Sequence, residues 1–349
     1  RPPVLASSVE PALAKENLGV FSVQDVYHGL GPEVARGRVK YLRVAEEVPA
    51  RLEHLVCGQY RDDHPPFEDF YASPIHRVRG PAQTYLTRTA NAPLLPLATN
   101  VNWQQHVAEK GAGLYEVTEA AGWPSYVAKM SHGVVPVAQD GSASFVAPAS
   151  RQLYFQLLDG EFNEIQRMRS VIQLQPGEQR SCIGCHEDRQ AAPPGAGLRE
   201  ALIRQPVRLE PPPWGAVPFA YEDLVQPVWD RHCTACHSGT EGSPTPDLRG
   251  ALDSERVPAS YRALIEGGWV HYFDYTYGMR HFKAEALSFG TLRSRLFGVL
   301  DDAAHQDISL SENEMRAVKA WIDFNCPLWP DYIQREQRPV QRDRVARSD

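Results

Sequence analysis

The chain has 349 residues, a formal net charge of −7 and a sequence pI of about 6.0. That length suits two or three domains with a sizeable core, and the acidic balance argues against a nucleic-acid binder. No stretch is long and apolar enough to span a membrane.

In chain order, the sequence opens on "RPPVLASS", with neither an initiator Met nor a signal peptide. It is expected to be an exported chain whose targeting segment is not in this sequence. "VFSVQDVY" over 20–27 and "GRVKYLRVAEE" over 37–47 read as strands. More strands are expected over 134–176. There, Leu153, Phe155 and Leu157 alternate with Tyr154, Gln156 and Leu158, and Asp140-Gly141 and Asp159-Gly160 are hairpin turn pairs. This predicts a β-sandwich-like domain over 1–178, with 58–130 set apart as an insertion of loops and a helix. A segment with a Pro-rich stretch, including "AAPPGAG" and "PPPW", follows over 179–217.

From 218 to 335 the pattern turns helical. Tyr221, Leu224, Val225, Val228 and Trp229 share one helical face that runs directly into "RHCTACH". Ser311 and Glu314 form an S-x-x-E capping box, with Leu310 and Met315 placed for a hydrophobic staple. Met315, Val318 and Ile322 continue the stripe, and Pro327 is the expected stop. A helix before an attachment loop and a closing helix packed across it is the plan of a small cytochrome c domain. A polar tail occupies 336–349. The fold class is therefore read as α+β, a β-sandwich-like domain followed by a helical cytochrome c-type domain.

The chemistry lies in two C-x-x-C-H motifs, Cys182/Cys185 with His186 and Cys233/Cys236 with His237. Two thiols at this spacing add to the two vinyl groups of one haem, and the following His lies under the iron as an axial ligand. The expected cofactors are two covalently attached haem c groups. A zinc site is the competing reading, but zinc ribbons separate their C-x-x-C pairs by roughly 15–20 residues, and these pairs stand much further apart. Attachment of haem c follows export, so the chemistry implies a periplasmic or extracellular location. The remaining cysteines, Cys57 and Cys326, are left to form a disulfide or to stay as separate buried thiols.

The string from "GVVPVAQDGSASFVAPASRQLYFQLLDG" through "QPGEQRSCIGCHE" resembles the C-terminal region of hydrazine synthase alpha subunits and their relatives. "RPPVL", "VQDVYHGL" and "GRVKYLRV" fit its start, while "YEDLVQPVWDRHCTACH" and "HQDISLSENEMRAVKAWID" fit its final cytochrome domain. The resemblance spans nearly the whole chain except about 58–125, and does not include the β-propeller of those subunits. In the hydrazine-forming enzyme a tyrosine four residues after the first motif's His ligates the active haem, and here that position is Gln190. The resemblance therefore implies the fold and two haems, and not hydrazine synthesis.

What fills each iron's sixth position decides between a closed carrier and an open, substrate-binding centre. For the second haem His305 is the first choice, because it matches a "GH-x-D-V-x-L-S" pattern of the relatives where it looks like the distal ligand. Met279 and His281, in "YGMRHF", are the alternatives. For the first haem His132 stands where the relatives show an apolar residue, and His64 and His76 flank "PPFEDFYASP". Each of these is also readable as a structural or surface His. His28, His54, His106 and His271 have weaker claims, and His232 is badly placed for its own haem. Trp269, Tyr272, Phe273, Tyr275 and Tyr277 read as a haem-pocket wall or as a contact surface for another protein.

The expected function is a dihaem c-type cytochrome that carries electrons between redox partner proteins, or between copies of itself in a homo-oligomer or filament. The alternative is a haem redox enzyme, a dihaem peroxidase or a hydrazine synthase-like catalytic subunit, with one open iron. A non-catalytic module within a larger complex is the third reading.

Overall fold

The computed structural model describes residues 9–48, 128–168, 170–185, 197–252, 257–272, 285–300, 302–328 and 330, and the backbone of 55–56 and 59–60. After a short helix α1 (Pro11–Lys15) come β1 (Leu18–Val23) and β2 (Tyr41–Glu47). A minimal pair, β3 (Leu55–Val56) with β4 (Gln59–Tyr60), precedes β5 (Lys129–Pro136), β6 (Ala143–Pro148), β7 (Leu153–Leu158), β8 (Glu164–Arg167) and β9 (Gln179–Cys182). A last two-residue strand, β10, is Val207–Arg208.

These strands make two four-stranded sheets, ordered β10-β6-β1-β9 and β5-β2-β7-β8. The long pairings are antiparallel, with β1 against β6 in register Phe21↔Phe145 and β2 against β7 in register Val44↔Phe155. The edges β9 and β10 run parallel to their neighbours. Phe21 and Phe145 from one sheet meet Phe155 from the other edge-to-face, at 5.1 and 5.5 Å between ring centres. Around them Leu42, Val44, Leu157 and Ile165 close a core between the sheets. The expected sandwich is present, and it includes β9, so the sandwich edge itself presents the first cysteine.

The helical part has α2 (Tyr221–Leu224), α3 (Gln226–His232), α4 (Ala259–Glu266), α5 (Arg295–Leu300) and α6 (Glu312–Asp323). The single helix expected over 221–232 is divided at Val225, where Pro227 opens the second piece. A proline lacks the N–H that would continue the first helix, and it is tolerated in a first turn. The Ser311–Glu314 capping box is formed. α6 ends before Pro327 is reached, because Asn325 and Cys326 both take left-handed conformations, with φ of 69° and 55°. Trp229, Tyr221, Tyr261 and Trp321 form the centre of the helical core, all fully buried. Burying each such side chain contributes about 1.5–3 kcal/mol.

Period-two spacing predicts a half-buried β7, yet all six of its residues are buried. The reason is that the outer face of the β5-β2-β7-β8 sheet is covered too. Ala45 and Tyr154 belong to the helical core. Between the layers lies an ionic junction with no exposed member. Arg43 donates to Gln156 Oε1 at 3.1 Å, and Gln156 Nε2 donates to Glu164 Oε1 at 2.9 Å and to the Asp323 carbonyl at 2.6 Å. Arg167 closes on Glu164. The Asp323 carboxylate accepts from the Glu164 amide, the Thr291 amide and the Thr291 hydroxyl at 3.2, 2.9 and 2.8 Å. Arg43 also lies over the Phe324 ring.

Burial pushes the Glu164 carboxyl from 4.5 up to about 7, against the pull of Arg167. The native state then holds a proton that the unfolded chain has lost, so this contribution to stability is complete below the unfolded value and is lost as pH rises through about 7. Thermal denaturation between pH about 5 and 8 is expected to show falling stability with rising pH, of the order of 3 kcal/mol over the full window. Glu164→Gln is expected to flatten that slope.

Candidate haem-attachment sites

β9 carries the first motif in parallel register with β1, Val23 opposite Cys182. The chain then rides on the turn that follows β1. The Gln24 amide donates to the Cys182 carbonyl at 2.9 Å, and the Asp25 amide to the Ile183 carbonyl at 3.1 Å. Asp25 is itself fixed by Arg36, at 2.5 Å, and by the Tyr27 amide, at 3.0 Å. Gly184 is seated against His28. A Cβ there would lie 2.5 Å from the His28 carbonyl oxygen and 2.6 Å from its Cβ. Cys182 and Cys185 are partly buried against the sandwich core. His186 and Gln190 lie outside the described residues, as do His64, His76, His54 and His106.

The second motif leaves the C-terminus of α3 in a tight turn. The Cys233 amide donates to the Trp229 carbonyl at 2.8 Å, and the Cys236 and His237 amides both return to the Cys233 carbonyl, at 3.1 and 2.9 Å. Cys233 packs on the helical core, and burial, reinforced by Cys236, pushes its thiol up to about 11. His237 Nδ1 lies 2.9 Å from the Pro246 carbonyl oxygen. A carbonyl only accepts, so Nδ1 carries the proton and Nε2 keeps its lone pair. The Leu248 amide binds the His237 carbonyl at 3.1 Å, which holds the same loop to the motif.

His305 ends a 3-10 turn, Ala303–His305, just ahead of α6. Its ring faces that of His237, with centres 6.1 Å apart and planes inclined by 15°. Its Nδ1 is buried without a hydrogen-bond partner among the described residues. Two imidazoles that bind one ion from opposite sides, with metal–nitrogen bonds of about 2.0–2.1 Å each, set their ring centres roughly 6 Å apart. The ring centres of His237 and His305 stand at about that separation. Met279 and His281 lie outside the described residues.

The other candidates are engaged elsewhere. His132 Nε2 is 2.7 Å from Glu46, whose wholly buried carboxylate also takes Arg151 at 3.3 Å. Spacing gave no sign of this partner, because it comes from the neighbouring strand. His232 Nε2 is 3.1 Å from Glu314 Oε1, which Arg231 also approaches. Burial pushes Glu314 up, but the Ser311 amide and hydroxyl together with His232 outweigh it and hold it at about 2. This carboxylate therefore fastens the start of α6 to the end of α3, beside the second motif. Burial pushes the His271 imidazole down. Trp269 and Tyr272 pack with the helical core, whereas Phe273, Tyr275 and Tyr277 lie outside the described residues. Cys326 is a fully buried free thiol, and Cys57 lies outside the described residues.

Cys182 and Cys185 pack against the sandwich core and Cys233 against the helical core, while Cys236 is exposed. Among the described residues no three His, Cys, Asp or Glu side chains converge as for a bound metal ion. The arrangement thus gives each motif its own platform, one on a sheet edge and one at a helix end. No helix among the described residues is long and apolar enough to cross a membrane.

Fold and motifs together define a mixed chain of two packed sheets and a helical unit, each part bearing one C-x-x-C pair. Residues 96–187 match the family model described as the hydrazine synthase alpha subunit middle domain. The match begins inside the stretch set apart as an insertion and ends just past the first motif. The structure is similar to a chain of Kuenenia stuttgartiensis hydrazine synthase, with a TM-score of 0.53 and 16% identity over 91% of this chain and 45% of that one. The chain thus spans less than half the length of that relative. No curated protein matches. The resemblance read from the sequence strings is supported by the family model over residues 96–187, and the likeness to the Kuenenia chain is one of fold.

Proposed function

We propose that the chain is a dihaem c-type cytochrome that carries electrons outside the cytoplasm. Cys182 and Cys185 would hold one haem with His186 on its iron, and Cys233 and Cys236 the other with His237. The observation that carries the reading is the near-parallel His237–His305 pair, 6.1 Å between ring centres. With His237 and His305 both held toward it, a bound haem would be suited to single-electron exchange and would offer no position for substrate. His237 is oriented by the Pro246 carbonyl, and the capping box of α6 anchors the segment that follows His305. The helical unit then acts as a cytochrome c-type domain, and the acidic chain would meet redox partner proteins or further copies of itself.

Optical spectra of the haem-loaded chain test this: ferric, reduced, and reduced with carbon monoxide. Low-spin bands that carbon monoxide leaves in place at the second haem support the carrier. A carbon monoxide shift in all of the haem contradicts it. The likeness to hydrazine synthase favours a second reading, catalysis at the first haem, and a shift confined to about half of the haem would select it.

The seat of the first haem gives a separate expectation. Gly184→Ala forces a methyl group against the His28 backbone, and overpacking of this kind costs about 1–3 kcal/mol. Haem content per chain, measured after denaturation, is expected to fall towards half while the second haem's spectrum is retained.

A further inference from the structure

Behind the His237 loop runs a buried chain of side chains that no motif announces. Trp229 Nε1 donates to the Tyr221 hydroxyl at 3.0 Å, and that hydroxyl donates to Ser260 Oγ at 2.8 Å. Ser260 Oγ donates to Gln226 Oε1. The Gln226 amide then donates to the Leu248 carbonyl at 3.1 Å and to Asp230 at 2.7 Å. Trp229, Tyr221 and Ser260 are fully buried and Gln226 nearly so. Gly250 leaves room for it, since a Cβ there would stand 3.1 Å from Gln226 Cδ. Ser260 is tied to the same loop by its own amide, 3.0 Å from the Arg249 carbonyl.

We propose that Gln226 is a positioning residue for His237, holding the 246–249 loop so that the Pro246 carbonyl stays on His237 Nδ1. This rests on the reading of His237 as an axial ligand. Every polar side-chain atom of this run is hydrogen-bonded, and Gln226 Nε2 divides its two N–H groups between the Leu248 carbonyl and Asp230. Leu248 is held from both sides, its carbonyl by Gln226 and its amide by the His237 carbonyl. An Nδ1–H donated to a carbonyl raises the basicity of the ligating nitrogen and favours ferric iron. A loosened loop weakens that donation and favours ferrous iron.

The test is an optical redox titration of the haem-loaded full chain, with Gln226→Met and Ser260→Ala beside wild type. Met keeps the length and removes the amide donor; Ala removes the hydroxyl that aligns it. The second haem is the one whose midpoint also moves in His305→Ala. Gln226→Met is expected to shift that midpoint upward and leave the other in place, with a smaller shift in the same direction for Ser260→Ala. Lowered thermal stability with both midpoints unmoved would overturn the proposal, as would equal movement of both. If Gln226→Met does not accumulate with haem, the Ser260→Ala midpoint decides alone. A wild-type second haem with no histidine nitrogen on its iron, read from nitrogen hyperfine couplings, would refute the axial reading of His237 instead, before any variant is compared.

Discussion

Asp323→Ala is expected to destabilise the folded chain by about 3–5 kcal/mol, the largest loss from any single side chain at the junction between sheet and helices. The carboxylate accepts three hydrogen bonds there, from the Glu164 amide and from the amide and hydroxyl of Thr291. Alanine supplies none of them, and water has no access to replace them. Arg43 and Arg167, both nearly fully buried, would keep their charges with one acid fewer nearby. Removing one member of a buried charged set costs more than the set contributes, because the remaining charges stay desolvated. Urea denaturation followed by tryptophan fluorescence reads the effect, since Trp229 and Trp321 lie in the adjoining helical core. A loss below about 1 kcal/mol would mean that the junction is hydrated or open in solution.

His305→Ala is expected to convert the second haem from a closed centre to an open one. Nothing else among the described residues faces His237 in this way, and the ring stands 6.1 Å from it, centre to centre. Alanine leaves the iron with the His237 ligand and one free position. The ferric form should turn high-spin, and reduced protein should bind carbon monoxide at about half of its haem, the other half belonging to the first motif. Haem content should be unchanged, because both thioether cysteines remain. An unaltered spectrum would assign the sixth position to another residue, with Met279 and His281 the sequence's own alternatives.

Much of the sandwich was legible because alternation and turn pairs are local. Asp140-Gly141 joins β5 to β6, and Phe155 and Leu157 face the inner core as spaced. What alternation could not show was the second burial, of Tyr154 and Gln156 under the helical unit. The Asp323 carbonyl that Gln156 meets lies 167 residues further along the chain, and the helical core that Tyr154 joins starts at Phe219. The same limit hid the junction, in which Gln156, Glu164 and Asp323 meet from three separate segments. At the second motif, helix, capping box and His305 were all legible as patterns, while the Pro246 carbonyl was not. A backbone acceptor has no residue type to announce it. His132 read as a spare ligand because Glu46 lies across a strand pair. Pro327 read as the stop of α6, but the two left-handed residues before it had already ended the helix.

The most direct test of the central claim is the low-temperature electron paramagnetic resonance spectrum of the ferric, haem-loaded chain. Two histidines on one iron with ring planes inclined by only 15° should give a rhombic low-spin signal from the second haem. That is the expected result. A spectrum made up only of axial high-spin signals would contradict it, and the chain would then have to be read as a protein that leaves its irons open to substrate.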